Sequence, residues 1–136
     1  MIIMAVDLGK ARTGIAASDK TEYLASPVKV IKEHNRERLL TAVSETAREI
    51  KAELVVVGLP KNMDGTEGES AKNAREFAGL LAEELSIEVK LWDERCTTIT
   101  AHGYLNDTNT RGKKRKAVID EVAATVILQS FLDSRR

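Results

Sequence analysis

A mixed α/β sheet of five strands, with helices on both of its faces, is the fold class this sequence predicts. Three observations lead there. Residues 1–6 and, in the segment 53–58, everything after Glu53 are continuously apolar and rich in β-branched side chains, as central strands buried on both faces must be. Between them, residues 35–51 repeat apolar positions at helical spacing, and a helix linking two such strands implies a right-handed crossover with parallel pairing. Ahead of that helix, two further short segments separated by turn residues read as an antiparallel meander with the first strand. The resulting spatial order is 3-2-1-4-5. A chain of 136 residues is expected to form one domain over 1–136, with a core large enough to need neither disulfide nor structural metal.

The first strand runs up to Asp7. Gly9 and Gly14 bracket a turn carrying Lys10 and Arg12, and residues 13–17 return as the second strand, which sets two cations near one acid. Residues 23–31 form the third strand, and Pro27 gives it an edge position because proline cannot donate to a ladder on both sides. Asn35 is the expected N-cap of the first helix, whose Leu39, Leu40, Val43, Ala47 and Ile50 share a face. After the fourth strand, segment 58–68 is dense in turn formers and reads as a loop at a strand's C-terminal end, with Lys61 on it. Ser70 is expected to cap the next helix, which turns Ala74, Phe77, Ala78, Leu81 and Leu85 inward. Residues 87–92 make the last strand, closed by Asp93, Glu94 and Arg95. A short helix is expected from about Thr97 or Thr98 to Leu105, then a polar loop over 106–112. The final helix, over 114–133, carries Ile119, Val122, Ala123, Val126 and Ile127 inward.

The 21 Lys and Arg residues balance 21 Asp and Glu, so net charge names no partner. Its distribution does. Arg111, Lys113, Lys114, Arg115 and Lys116 crowd a helix start, where the macrodipole disfavours each cation by about 0.3–1 kcal/mol. Such a run fits a phosphate backbone better than a solvated face. The sequence has no signal peptide, lipidation motif or long apolar span, and its lone Cys96 cannot form an internal disulfide, so a soluble protein of a reducing cytoplasm is expected. Trp92 reads as a packing residue; with so few aromatics, single-strand stacking is not argued.

In a sheet of this order, ligands gather outside the C-terminal strand ends where the order reverses. Asp7, the 58–68 loop and the Asp93-Glu94-Arg95 turn all face that edge. Two acidic strand ends are either separate surface features or a holder for a hard divalent cation. Asp120 offers a third acid, with the small Ala123 and Ala124 letting its helix approach closely; alone, it would serve equally well as a favourable acid near a helix N-terminus. Three converging carboxylates are what a two-metal phosphodiester hydrolase needs, because they neutralise the ions that activate water and stabilise the leaving oxygen. Asp93 and Glu94 are adjacent and would point to opposite faces of a strand, so only one is a natural ligand. Spacing alone does not choose between them.

Together these segments resemble the YqgF family. The resemblance rests on Asp7-Leu8-Gly9-Lys10-Ala11-Arg12-Thr13-Gly14-Ile15-Ala16 and on Val57-Gly58-Leu59-Pro60 with Asp64-Gly65 and Gly68. It extends to Asp93-Glu94-Arg95 with Thr97-Thr98, and to the basic run followed by Ile119-Asp120 and Ala123-Ala124, covering nearly the whole chain. It implies a ribonuclease H-like fold. The family's bacterial proteins are described as Holliday junction resolvases and as the nuclease that matures the 5′ end of 16S rRNA. By resemblance, Asp7, Glu94 and Asp120 are the catalytic, metal-binding acids, with Mg2+ or Mn2+ as cofactor and Glu94 favoured over Asp93. The expected nucleic-acid contacts are Lys10, Arg12, Lys61, Arg95, Thr97, Arg111, Lys113, Lys114, Arg115 and Lys116.

The expected activity is thus a metal-dependent endonuclease on structured nucleic acid, foremost at the 5′ end of pre-16S rRNA, with resolution of branched DNA as the alternative. No membrane partner is expected, and a homodimer is left open. Two readings of other classes compete. A non-catalytic nucleic-acid-binding scaffold would have no use for the retained acids. A phosphate-binding ATPase-like module opens with a similar acid-glycine hairpin but needs a second lobe to close over the nucleotide, and 136 residues supply one.

Overall fold

The computed structural model describes residues 1–96 and 112–135, with side chains described for residues 1–95 and 122–135. Five strands form one sheet: β1 (Ile3–Leu8), β2 (Arg12–Ser18), β3 (Ala25–Lys32), β4 (Leu54–Leu59) and β5 (Glu88–Asp93). Their order is β3-β2-β1-β4-β5. β1 pairs antiparallel with β2 and parallel with β4, β2 pairs antiparallel with β3, and β4 pairs parallel with β5, as the sequence predicts. Helices α1 (Arg36–Ile50) and α2 (Glu69–Leu85) provide the crossovers, and α3 (Gly112–Ser134) closes the chain.

β1 is continuously apolar because it faces two cores. Met4 and Val6 pack with Val43 of α1 and with Phe77 and Leu81 of α2. Ile3 and Ala5, alternating with them, pack with Ile127, Leu128 and Leu132 of α3 on the other side. The outer strand β3 is mostly exposed, and its pairing shifts register where Ile15 opposes Lys29 but Ala16 opposes Pro27. Val28 is the extra residue of that bulge, so proline sits on an edge strand beside an irregularity, where a missing N–H costs least.

The N-cap of α1 is as expected: the Asn35 side chain accepts a hydrogen bond from the Arg38 amide at 3.0 Å. That of α2 is not. Gly68 occupies the cap without any side-chain bond, and Ser70 lies inside the first turn. The preceding loop closes on itself through a bridge between Lys61 and Glu67, which delivers an extended Gly68 whose carbonyl accepts the first helical bond, from Lys72 at 3.1 Å.

The inward face of α3 also differs from the expected set. Ala124, Ile127, Leu128, Phe131 and Leu132 are buried together with Val126, whereas Val122 and Ala123 are half-buried. Residues 122–128 are apolar at every position except Thr125, so periodicity alone gave no direction, and packing under the C-terminal half decides it. The Ile119 side chain, the expected short helix after Arg95 and the polar loop up to Arg111 lie outside the described residues.

Helix α3 runs opposite to β1. Near its end, Arg135 bonds Glu22 at 3.0 Å, and Glu22 in turn pairs with the amino group of Met1 at 3.3 Å. Nearly two turns earlier, Gln129 accepts from the Ala25 amide at 2.9 Å, at the start of β3. The C-terminal turn of α3 therefore covers the edge where β1 begins, and its N-terminal turns extend toward the edge where β1 ends. Among the described residues, no helix is long and apolar enough to cross a membrane.

Candidate active site

Asp7 is the next-to-last residue of β1, half-buried and paired across the sheet with Gly14 of β2. Strand alternation sets it on the α3 side with Ile3 and Ala5. The same side of β4 carries Leu54, Val56 and then Gly58, which is paired with Trp92 of β5. Trp92 packs edge-on to Phe131 of α3, with ring centroids 5.5 Å apart, and donates its indole N–H to Ser130 Oγ at 3.3 Å. It is a packing residue, as the sequence suggests. Beyond β5 the chain tightens into a 3₁₀ turn, Glu94–Cys96.

That turn sends its two acids apart. Asp93 is gripped by Arg95, whose backbone amide donates at 3.0 Å and whose guanidinium reaches the carboxylate at 2.6 Å. The Arg95 hydrogen bonds hold the Asp93 carboxyl below the usual range. Glu94 instead turns back across β4 to meet Asp7, and the two carboxyl groups share a hydrogen bond. The crossing needs Gly58: a Cβ there would lie 2.9 Å from Glu94 Cδ and 2.9 Å from Ile127 Cδ1. The glycine is thus the gap through which one acid reaches the other. Sequence reasoning placed Gly58 at the head of the loop; its real signal was a glycine inside an otherwise unbroken β-branched strand, which marks close approach.

The Asp7 carboxyl is raised well above the usual carboxylate range, first by desolvation, then by the hydrogen bond to Glu94 and by repulsion from its charge. Burial and the neighbouring Glu94 both favour the protonated form of Asp7. An all-oxygen, anionic pair of this kind fits a hard divalent cation in the proton's place. Among the described residues, no third His, Cys, Asp or Glu joins the pair. Position 120 of α3 is seven residues before Ile127 and four before Ala124, on the same helical row, but the Asp120 side chain lies outside the described residues.

The expected nucleic-acid contacts divide. Lys10 is exposed on the β1–β2 turn, where a Cβ on Gly9 would run into the Arg12 carbonyl oxygen, so the turn requires glycine there. Arg12 opens β2 on the same side as Ala16, facing α3, and one of its terminal nitrogens is buried with no hydrogen-bond partner among the described residues. Lys61 faces Glu67 at 3.9 Å. Arg95 is engaged with Asp93, as described above, at this same edge. Thr97 and Arg111 lie outside the described residues, as do the side chains of Lys113, Lys114, Arg115 and Lys116, which occupy the first turns of α3.

A family model described as "RuvX: Holliday junction resolvase" matches residues 1–134. A protein of Geobacillus sp. named "Putative pre-16S rRNA nuclease" is 42% identical, with all of both chains covered. A protein of Clostridium beijerinckii with the same name is 40% identical over 98% of this chain and 96% of its own. Among solved structures, Thermus thermophilus RuvC in complex with a Holliday junction substrate superposes with a TM-score of 0.65 at 15% identity, covering 99% of this chain and 95% of that one. The fowlpox virus Holliday junction resolvase gives 0.59 at 14% identity, covering 98% and 99%. These structures share the fold, which is the ribonuclease H-like architecture expected from the sequence.

Proposed function

Because the chain belongs to the RuvX family of Holliday junction resolvases, we propose that it is a metal-dependent endonuclease acting on structured nucleic acid in the cytoplasm, foremost at the 5′ end of pre-16S rRNA. The observation that carries this reading is the Asp7–Glu94 pair, two acids brought into hydrogen-bond contact at the sheet edge where ligands gather. A second reading, cleavage of branched DNA, is favoured by the description of the matching family model.

Asp7 and Glu94 would hold Mg2+ or Mn2+, with Asp120 of α3 as the proposed third ligand. Such an ion would supply Lewis-acid chemistry, making water nucleophilic at neutral pH and stabilising the departing oxygen. The rest is the work of the chain. Asp7, whose raised pKa favours its protonated form, would have to be ionised to serve as a ligand. Gly58 keeps the path of Glu94 clear, while Ile127 and Trp92 form the dry wall behind the site. Arg12, one buried nitrogen of which has no partner among the described residues, and Lys10 at the turn would bind the phosphate oxygens and orient the scissile bond. The basic run at the start of α3 holds the flanking backbone without reading sequence. The decisive experiment incubates the pure protein with 5′-extended precursor 16S rRNA and with a four-way DNA junction in parallel, with and without manganese. Manganese-dependent cleavage of the RNA alone supports the first reading, of the junction alone the second, and of neither would remove both.

Replacing Asp120 by asparagine should cut the rate by about 100-fold or more, given that even groups orienting metal ligands are worth 10–100-fold. Melting without metal should be unchanged or higher. A role confined to the helix dipole predicts the reverse, a loss of about 0.3–1 kcal/mol of stability with full activity. Rate and melting temperature measured on one preparation separate the two.

A further inference from the structure

The loop between β4 and α2 is built to present one apolar side chain. Met63 is 88% exposed, more than Tyr23 at 66% or Leu24 at 58%, which lie near the far end of the sheet. A lone exposed hydrophobic residue is ordinary on a protein surface. Here the surroundings are not ordinary. The Gly65 amide donates to the Asn62 carbonyl at 2.9 Å, closing a turn with Met63 and Asp64 at its corner, and Gly65 takes the positive φ of 90° that such a turn ends on. Asn62 and Thr66 are joined by a backbone bond of 2.8 Å and a side-chain bond of 2.9 Å. Asp64 accepts from the Thr66 hydroxyl at 2.6 Å, and Glu67 is clamped by Arg75 at 2.6 Å. Every polar side chain from Asn62 to Glu67 is tied down within the loop or to its base, and the rigid tip they make carries a thioether into solvent.

The tip stands at the functional edge. Its loop leaves β4 between the strand that carries Asp7 near its end and the turn that carries Glu94. Arg95 lies underneath, its Nη1 3.5 Å from where a Cβ on Gly65 would be. A nucleic acid whose phosphates reach Asp7 and Glu94 must pass this loop. The occupant suited to a rigid apolar tip beside a phosphodiester site is a stacked base step, since apolar wedges open such steps and bend the strand. Methionine is unbranched and polarizable, so it enters steps of differing sequence.

Resting on the nuclease reading above, we infer that Met63 is a wedge that unstacks a base step of the substrate next to the scissile phosphate. The test uses a four-way DNA junction and a paired RNA helix, each carrying 2-aminopurine, with protein added in EDTA so that nothing is cut. The wild type should raise the fluorescence of at least one probe. Met63→Ala should bind that probe with affinity within about threefold but without the rise, and Met63→Leu should restore it. In cleavage, Met63→Ala should slow the fully paired substrate about tenfold or more, the equivalent of 1.4 kcal/mol. A version carrying mismatches at the cut step should be cleaved at the wild-type rate. An equal rise with Met63→Ala, or no rise with the wild type on either probe, overturns the wedge. A rise that depends on Met63 in a protein that cuts neither substrate with manganese would instead leave the wedge standing and sink the nuclease reading.

Discussion

Asp7→Asn should abolish cleavage and, without metal, make the protein more stable. The first effect should be about 100-fold or more in rate, because the change removes a charge from the proposed metal site while keeping the side chain's shape. The second follows from linkage. The Asp7 carboxyl is raised well above its ordinary value in the folded protein, mainly by burial and then by Glu94. The unfolded chain therefore releases this proton at lower pH than the folded one. Between the two values the unfolded state binds fewer protons, so stability is greatest at low pH and falls as pH rises through the folded pKa. Asparagine is neutral throughout and its amide can donate to Glu94. Metal-free Asp7→Asn should therefore melt close to the wild type near pH 4 and above it at pH 8. Saturating manganese should raise the melting temperature of the wild type and leave the mutant where it was. Thermal melts at both pH values, with and without the ion, check this; a mutant that melts lower than the wild type at pH 8 without metal would show that Asp7 contributes to the fold and not to an anionic site.

Gly58→Ala should damage catalysis far more than stability. The added Cβ would press on the tips of two side chains, Glu94 and Ile127, each 2.9 Å away. Tips can swing aside, so the overpacking should cost near the low end of the usual 1–3 kcal/mol. About 1 kcal/mol would lower the melting temperature of a domain of this size by about 4 °C. Glu94 cannot swing aside and still meet Asp7 across β4. A displacement of about 1 Å at a reacting centre costs on the order of 100-fold in rate. Kinetics and melting on the purified variant test the split, and normal cleavage by Gly58→Ala would mean that Glu94 does not work from the position it occupies here.

The sheet was legible because each strand obeys a local rule. Ile3 to Val6 face two cores and so are apolar without interruption, Pro27 keeps β3 at the edge, and the Asn35 cap starts α1 as its side chain dictates. Asp7 was legible for the same reason, as the acid that ends a buried run. Which of Asp93 and Glu94 meets Asp7 was not, because it depends on contacts between distant elements: Arg95 draws Asp93 away, and Gly58, well over thirty positions earlier, opens the path for Glu94. The inward face of α3 was misjudged where apolar residues occupy nearly every position, so that only contact with the sheet selects Ala124, Ile127 and Leu128. Met63 gave no signal in sequence; its meaning lies in the rigidity of the turn beneath it and in its neighbours across the edge.

A calorimetric titration of manganese into the metal-free protein, at pH 7 in two buffers of different ionisation enthalpy, measures directly whether the Asp7–Glu94 pair takes a cation and whether Asp7 gives up a proton to do so. The wild type should bind with release of a proton, Asp93→Asn should bind alike because its carboxylate is held by Arg95, and Asp7→Asn should lose both the binding and the proton. Binding that survives in Asp7→Asn, or that disappears in Asp93→Asn instead, would contradict the assignment of the metal to the Asp7–Glu94 pair.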